Sequence, residues 1–381
     1  MPSMKQSVIV LSAMERAWRR SSRCSPARST RCPRLFISMS SPPNVDPEEG
    51  EVLRWGDVMK KGQRSEAPYK IPDGSMKDEH ALIMYTSGTT GNPKGVIHTH
   101  GSLNAGMRTL SERIEDFLGP IKEPEVYCSY LPMAHIMEMA VVSVLMMRGV
   151  SIGYGSPRTL TDQFAKPHGD LSEYRPNLLV AVPRVFDTIK RGVEMNLPKQ
   201  GTLKRSVFDN AYQARLKALK EGKDTPYYNE KVFAIPRAAM GGRVYAMLSG
   251  GGPLSEATQE FINVVFGMVV QGYGLTETVC CGAIQRTGNL QYDSIGQPLK
   301  TVEMQLRDTE EFKHTDKPEP RGELCLRGPF LFKGYLNQPE LTKEALDDEG
   351  WFRTGDVAAI ASNGAVRLVG RVKALAKECK R

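Results

Sequence analysis

Apolar positions along this chain gather into short runs that alternate with helical patterns. Residues 81–86 form a brief apolar strand ending in a loop of Gly, Ser and Thr. Residues 126–131 and 177–182 read as further strands, each leading toward proline, which cannot donate to a ladder. Residues 139–147 are apolar but too few to cross a bilayer, and they stop at Arg148, so they read as a buried helix. Residues 203–219 carry apolar side chains at 203, 207, 211, 212, 216 and 219, a helical spacing. Residues 243–249 form a strand running into Gly250, Gly251 and Gly252; residues 261–267 lead to a strand at 268–271 and another glycine turn. Strands that alternate with helices and end in glycine-rich loops predict an α/β fold with a mixed or mostly parallel sheet. After about residue 298 the texture changes to short strands at 302–307, 323–327, 357–361 and 365–369, a small β subdomain.

The chain has 381 residues, 40% hydrophobic and 25% charged, the composition of an ordinary globular protein of two or three domains. Its net charge of +8 is concentrated at one end. Residues 1–45 hold eight Lys and Arg against one acid, Glu15, and the remainder holds 43 bases and 42 acids. A nearly neutral body argues against a nucleic-acid-binding surface. The basic segment, rich in Ser and Arg and broken by Pro26, Pro33, Pro42 and Pro43, fits a transit peptide, a disordered tail or a stretch foreign to the folded domain. Expected boundaries are therefore 1–45 for that segment, 46–297 for the α/β core, 298–369 for the β subdomain and 370–381 for a linker. Seven cysteines, an odd number without a Cys-x-x-Cys pair, suit reduced thiols better than disulfides or zinc. His98 and His100 would share a face on a strand, but no third metal ligand lies near them in sequence.

The densest chemistry lies in Tyr85-Thr-Ser-Gly-Thr-Thr-Gly-Asn-Pro-Lys-Gly-Val96. Thr86, Ser87, Thr89 and Thr90 offer hydroxyls, Gly88 and Gly91 allow tight turns, successive backbone N–H groups can form an anion nest, and Lys94 adds a point charge. This composition suits a phosphate cradle, although it is not a Walker A loop; a flexible surface loop is the plainer alternative. Gln271-Gly-Tyr-Gly-Leu-Thr-Glu-Thr278 follows a strand, at the edge where open α/β sheets bind ligands. There Tyr273 can stack on a base, Thr276 can donate to a phosphate oxygen, and Glu277 is a hard ligand suited to Mg²⁺. Ser249-Gly-Gly-Gly-Pro-Leu254 is a strand-end glycine turn, and Gly350-Trp-Phe-Arg-Thr-Gly-Asp356 presents a carboxylate suited to ribose hydroxyls.

In this order the segments resemble the adenylate-forming (AMP-binding) superfamily, over about residues 79–373. Tyr130-Leu-Pro-Met-Ala-His-Ile-Met-Glu138, Val182-Pro-Arg-Val-Phe-Asp187 and Gly322-Glu-Leu-Cys-Leu-Arg-Gly328 look like its long-chain fatty acyl-CoA synthetase branch. The resemblance implies the large N-terminal domain of that fold, and a ligase using ATP, Mg²⁺ and coenzyme A. A fatty carboxylate attacks the α-phosphorus of ATP to give an acyl-adenylate and pyrophosphate; the thiol of coenzyme A then displaces AMP. By the same resemblance, residues 86–94 hold the β- and γ-phosphates. Tyr273 stacks on adenine with Gly251 and Gly252 at its rim, Thr276 meets the α-phosphate, Glu277 holds Mg²⁺, and Asp356 and Arg371 bind the ribose. His135 either borders the reacting carboxylate or supports a loop, and Arg184 either acts or is a solvated charge. An intracellular place at the endoplasmic reticulum, mitochondrial outer membrane or peroxisome is implied without choosing among them, and peripheral membrane attachment and oligomeric state stay open.

The chain also departs from the family. Gly370-Arg-Val-Lys-Ala-Leu-Ala-Lys377 puts Ala374 where the family's hinge aspartate stands. The sequence stops at Arg381, short of the family's mobile C-terminal domain and its catalytic lysine, and only 84 residues precede Tyr85. The expectation is an incomplete fold with impaired ligase activity. A non-catalytic ATP- or acyl-binding fragment, a ligase for another carboxylic acid and a nucleotide-independent scaffold are the competing readings.

Overall fold

The computed structural model describes residues 35–38, 51–54, 60, 76–86, 93–119, 124–162, 165–287 and 292–372. Two units divide the chain, one comprising residues 1–75 and 87–93, the other 76–86 and 94–381. In the first, Leu35–Ser38 (β1) and Glu51–Arg54 (β2) pair in parallel.

The second unit begins with an antiparallel pair, His80–Thr86 (β3) and Lys94–Thr99 (β4). Thr99 ends β4 and caps His100–Leu118 (α1): Thr99 Oγ1 accepts from the Ser102 N–H and Ser102 Oγ from the Thr99 N–H. There follow Val126–Ser129 (β5), Ile136–Met147 (α2), Ser151–Tyr154 (β6), Asp170–Tyr174 (α3), Leu178–Ala181 (β7), Pro183–Met195 (α4) and Leu203–Lys220 (α5). Then come Pro226–Lys231 (α6), Ala234–Ala238 (α7), Ala246–Ser249 (β8), Glu256–Val265 (α8) and Met268–Tyr273 (β9). Short strands Ala283–Ile284 (β10) and Gln297–Pro298 (β11) precede Glu303–Arg307 (β12), Arg321–Arg327 (β13), Gly334–Tyr335 (β14), Pro339–Ala345 (α9), Phe352–Ile360 (β15) and Val366–Arg371 (β16).

The main sheet has the order β11-β10-β9-β8-β7-β5-β6; β6, β5, β7, β8 and β9 run parallel, with β10 and β11 antiparallel at one edge. Strand β7, Leu-Leu-Val-Ala, is buried throughout, as a parallel strand covered on both faces must be. Alternation sorts its side chains. Leu178 and Val180 pack with Met137, Val141 and Leu145 of α2. Leu179 and Ala181 pack with Phe186 of α4 and Phe261, Ile262 and Val265 of α8. Strands β12, β13, β15 and β16 form an antiparallel sheet in the order β12-β13-β15-β16, whose Leu324, Leu326, Ala358 and Val366 share a core with Met107 and Leu110 of α1 and Val270 of β9.

Three details differ from the sequence reading. Strand β3 stands outside the parallel sheet, because the short link to β4 returns antiparallel, whereas a parallel partner needs a crossover of a dozen or more residues. The β14 segment leaves its neighbours in 298–369 and pairs with β4 through Gly334↔Ile97 and Tyr335↔Val96. Helix α5 lies where its periodicity predicts, yet only the C-terminal half of its stripe packs: Leu203 is 82% and Val207 48% exposed, while Ala211 is buried and Tyr212, Leu216 and Leu219 line the core.

This packing yields a contrast on a single helix. Phe186→Ala, deleting a fully buried ring, should cost about 3–5 kcal/mol in urea unfolding. Met195→Ala at the exposed end of α4 should cost less than about 0.5 kcal/mol. Equal losses would contradict the burial of α4.

Candidate functional site

Because β5, β7, β8 and β9 are parallel, the segments that follow them all emerge at one edge. Strand order reverses between β5, which is followed in sequence by its neighbour β6, and β7, which is followed by β8 and β9. Such a reversal opens a crevice at the carboxyl ends. The Gly250 N–H donates to the Ala181 carbonyl (3.2 Å), drawing the glycine turn toward the end of β7. Gly251 has φ +79°, a left-handed conformation that favours glycine, and Gly251 and Gly252 lie exposed beside Val182 and Pro183. The Leu254 N–H donates to Gln271 Oε1 (2.9 Å), so the turn after β8 is tied to strand β9 by a buried amide.

Tyr273 ends β9 half-buried, with its hydroxyl donating to Asp356 Oδ2 (2.7 Å). Asp356 lies in β15 opposite Arg371 of β16, whose Nε is 2.7 Å from Asp356 Oδ1. Burial pushes the Asp356 carboxyl above the usual carboxylate range, opposed only in part by the Tyr273 hydroxyl and the Arg371 guanidinium. The three residues expected around the nucleoside thus form one bonded group. Each oxygen of Asp356 keeps acceptor capacity beyond these bonds.

Thr276 and Glu277 lie in a single 3₁₀ turn after β9. His98 holds this turn: its Nε2 donates to the Thr276 carbonyl (2.7 Å) and its Nδ1 is 3.2 Å from Ser102 Oγ. The turn closes on two successive left-handed residues, Val279 (φ 50°) and Cys280 (φ 59°), a strained conformation for a β-branched side chain. Val279 fits only because α1 has glycine at 106; a Cβ there would lie 2.7 Å from Val279 Cβ. The buried Glu277 takes a hydrogen bond at Oε1 from the Tyr335 hydroxyl (2.8 Å), and its carbonyl accepts from the Phe332 N–H (2.9 Å). Lys94 opens β4 opposite Thr86, with its ammonium 4.9 Å from the centre of the Tyr335 ring.

Ser87, Gly88, Thr89, Thr90 and Gly91 lie outside the described residues. His135 is the exposed N-cap of α2, its Nδ1 accepting from the Met137 N–H (3.2 Å), and Arg184 is exposed in the first turn of α4. His98 and His100 do not share a face: the strand ends between them, leaving His98 fully buried and His100 exposed at the start of α1. Among the described residues no group of three His, Cys, Asp or Glu side chains could hold a metal. Sequence reasoning missed Tyr335 and the supporting roles of His98 and Glu138. The last is fully buried and accepts from Ser129 Oγ (2.6 Å) and the Tyr127 hydroxyl (2.8 Å), fixing the start of α2 under the edge. Tyr130, just after β5, and Ser249, at the end of β8, have buried hydroxyl oxygens without a hydrogen-bond partner.

A parallel sheet with its turns converging at one carboxyl edge, joined to an antiparallel sheet, is the N-terminal domain fold of adenylate-forming enzymes. The N-terminal domain of FACL13 from Mycobacterium tuberculosis superposes with a TM-score of 0.61 at 21% identity, over 88% of this chain and 73% of that one. O-succinylbenzoate coenzyme A synthetase from Bacillus subtilis, solved with ATP and magnesium, gives 0.62 at 20% identity over 95% and 62%. The chain belongs to the AMP-binding enzyme family, whose model matches residues 23–336 and so begins inside the basic segment. Among curated relatives, the peroxisomal long chain acyl-CoA synthetase 7 of Arabidopsis thaliana is 36% identical over 333 residues, 86% of this chain and 45% of the relative. Long-chain-fatty-acid–CoA ligase 1 of Schizosaccharomyces pombe is 37% identical over 321 residues, 82% and 46%. The chain spans about half the length of these relatives.

His98 gives this site a pH signature. Burial lowers its pKa, against the raising effect of the bond to Thr276, while in the unfolded chain it titrates near about 6.5. The neutral ring's contribution is therefore complete above about pH 6.5 and lost progressively below it, down to the lower folded value. Thermal unfolding should show up to about 1.4 kcal/mol of extra destabilisation per pH unit in that window, a component missing in His98→Gln. Parallel pH profiles for the two proteins would contradict a buried neutral His98.

Proposed function

We propose that this chain carries the nucleotide- and acyl-binding part of an ATP-dependent long-chain fatty acid–coenzyme A ligase. The observation that carries the reading is the convergence of the glycine turn at 250–252, the Tyr273–Asp356–Arg371 group and the Thr276–Glu277 turn at one carboxyl edge. Family membership and the names of the curated relatives support the reaction class.

A carboxylate is already ionised at neutral pH and needs no general base. The difficulty is bringing one anion against a polyanion, so positioning and charge neutralisation do the catalysis. In this reading the 86–94 loop and Lys94 hold the terminal phosphates, and Thr276 meets the α-phosphate. The Tyr273 ring stacks on adenine while Asp356, oriented by Tyr273 and Arg371, accepts the ribose hydroxyls. The residues present fit a Mg²⁺ that arrives with ATP. Such an ion takes one or two carboxylates plus phosphate and water oxygens, and Glu277 is a carboxylate with one oxygen engaged by a neutral donor. When bound, the ion would neutralise phosphate charge. The 46–297 portion supplies the phosphate and adenine contacts and the 298–369 portion the ribose carboxylate.

An acyl tail needs an apolar enclosure. Between α1, α2 and the sheet lies a small cavity of about 40 Å³ with almost wholly apolar walls, lined by Ile114, Phe117, Val141, Leu145, Val180 and Leu248, which would have to widen to take a long tail. At the edge, the unpartnered Tyr130 and Ser249 hydroxyls suit a polar head group. Coenzyme A is the acceptor by the relatives' names alone. No helix among the described residues is long and apolar enough to cross a membrane, and membrane attachment remains outside this reading.

Competition binding with stable acyl-adenylate analogues tests it. A palmitoyl analogue should bind more than about tenfold tighter than an acetyl one, each buried methylene contributing about 0.8 kcal/mol. Lys94→Ala should weaken ATP by about tenfold or more. Equal affinity for the two analogues would remove the long-chain assignment, and unchanged ATP affinity in Lys94→Ala would remove the phosphate assignment.

A further inference from the structure

We infer that Tyr335 is a positioning residue that keeps the Glu277 carboxylate aimed at a divalent cation while steadying Lys94 for phosphate, one side chain serving two opposite charges. The inference rests on the reading of Glu277 and Lys94 given above.

The geometry is specific. The Tyr335 hydroxyl donates to Glu277 Oε1 at 2.8 Å, and the ammonium of Lys94 lies 4.9 Å from the centre of the same ring. The ring has little freedom. Its backbone is in register with Val96 in the β14–β4 ladder, its N–H donates to Thr342 Oγ1 (2.9 Å), and its ring centre is 4.9 Å from that of Phe332. Phe332 in turn donates its N–H to the Glu277 carbonyl. Backbone and side chain of Glu277 are thus both held by residues 332–335.

The choice of donor matters chemically. A buried carboxylate is oriented by the hydrogen bonds it accepts, and the kind of donor decides what its charge can still meet. A cationic donor would compete with Mg²⁺ for that charge, whereas a phenol leaves it in place. The ring face attracts the ammonium without neutralising it. A lysine and a glutamate that must meet opposite charges on one ligand are each given a neutral partner in the same side chain.

The test is calorimetric titration of ATP into the full chain, once with excess EDTA and once with saturating Mg²⁺. The readout is the ratio of the two affinities, with melting temperature recorded for every variant. Tyr335→Phe keeps the ring under Lys94 but removes the donor. Its metal-free affinity should stay within about twofold of the unaltered protein, and its Mg²⁺ enhancement should fall by roughly tenfold. Tyr335→Leu removes both contacts and should weaken metal-free ATP as well. Tyr335→Gln restores a donor and should recover part of the enhancement. Glu277→Gln should abolish it, with Tyr335→Phe adding nothing further in the double variant. A Tyr335→Phe protein with full enhancement, alongside loss in Glu277→Gln, would overturn the role of Tyr335 and leave the nucleotide site intact. Full enhancement in Glu277→Gln would overturn the metal assignment itself.

Discussion

Parallel pairing of β5, β7, β8 and β9 brings the loops that follow these four strands to one edge of one sheet, and the rest of the structure depends on that constraint. The chain cannot make these pairs by hairpins. It crosses over through α2, α4–α7 and α8, and those helices bury both faces of strands such as Leu178–Ala181. The order reverses next to β5, so the crevice opens between segments that carry Tyr130 to Glu138 on one side and the glycine turn and Tyr273 on the other. Buried polar side chains then fix the loops: Glu138 under the first, and Gln271 of β9 holding the turn after β8.

The antiparallel elements close the site from the far side. Strand β15 brings Asp356 to Tyr273, and β14 brings Tyr335 to Glu277. Each contact joins residues more than fifty positions apart through a neutral phenol and a carboxylate, a recurrent device of this edge. It places negative charge next to the expected ribose and metal positions without bringing a cation into direct contact with Glu277. Strain at Val279 and Cys280 sits directly after the same turn and is held by packing against Gly106 and by the bond from His98.

Much of this was legible beforehand. The alternation of strands and helices gave the sheet class, and the glycine turn at 250–252 and the motif at 271–278 lie at the strand ends where their sequence put them, while the hydroxyl-rich turn at 87–91 lies outside the described residues. Three things were hidden. Local periodicity cannot show that β3 finds its partner across a short antiparallel link rather than in the main sheet, nor that β14 leaves the surrounding antiparallel sheet for β4. The helical stripe of α5 predicted burial at Leu203 and Val207, yet nothing in the described residues covers them. Tyr335 and His98 carry no motif; their roles come from register and from contacts 58 and 178 residues distant in sequence. A Gly-Tyr pair after an apolar run reads as a turn until the ladder to β4 is known.

The central claim is that this edge binds an adenine nucleotide, and a melting curve of the full chain with and without Mg-ATP tests it most directly. With ligand at 100 times its dissociation constant, binding to the folded state alone adds about 2.7 kcal/mol of stability. The account predicts a clear rise in melting temperature with Mg-ATP. A cooperative transition at the same temperature with and without saturating Mg-ATP would contradict it.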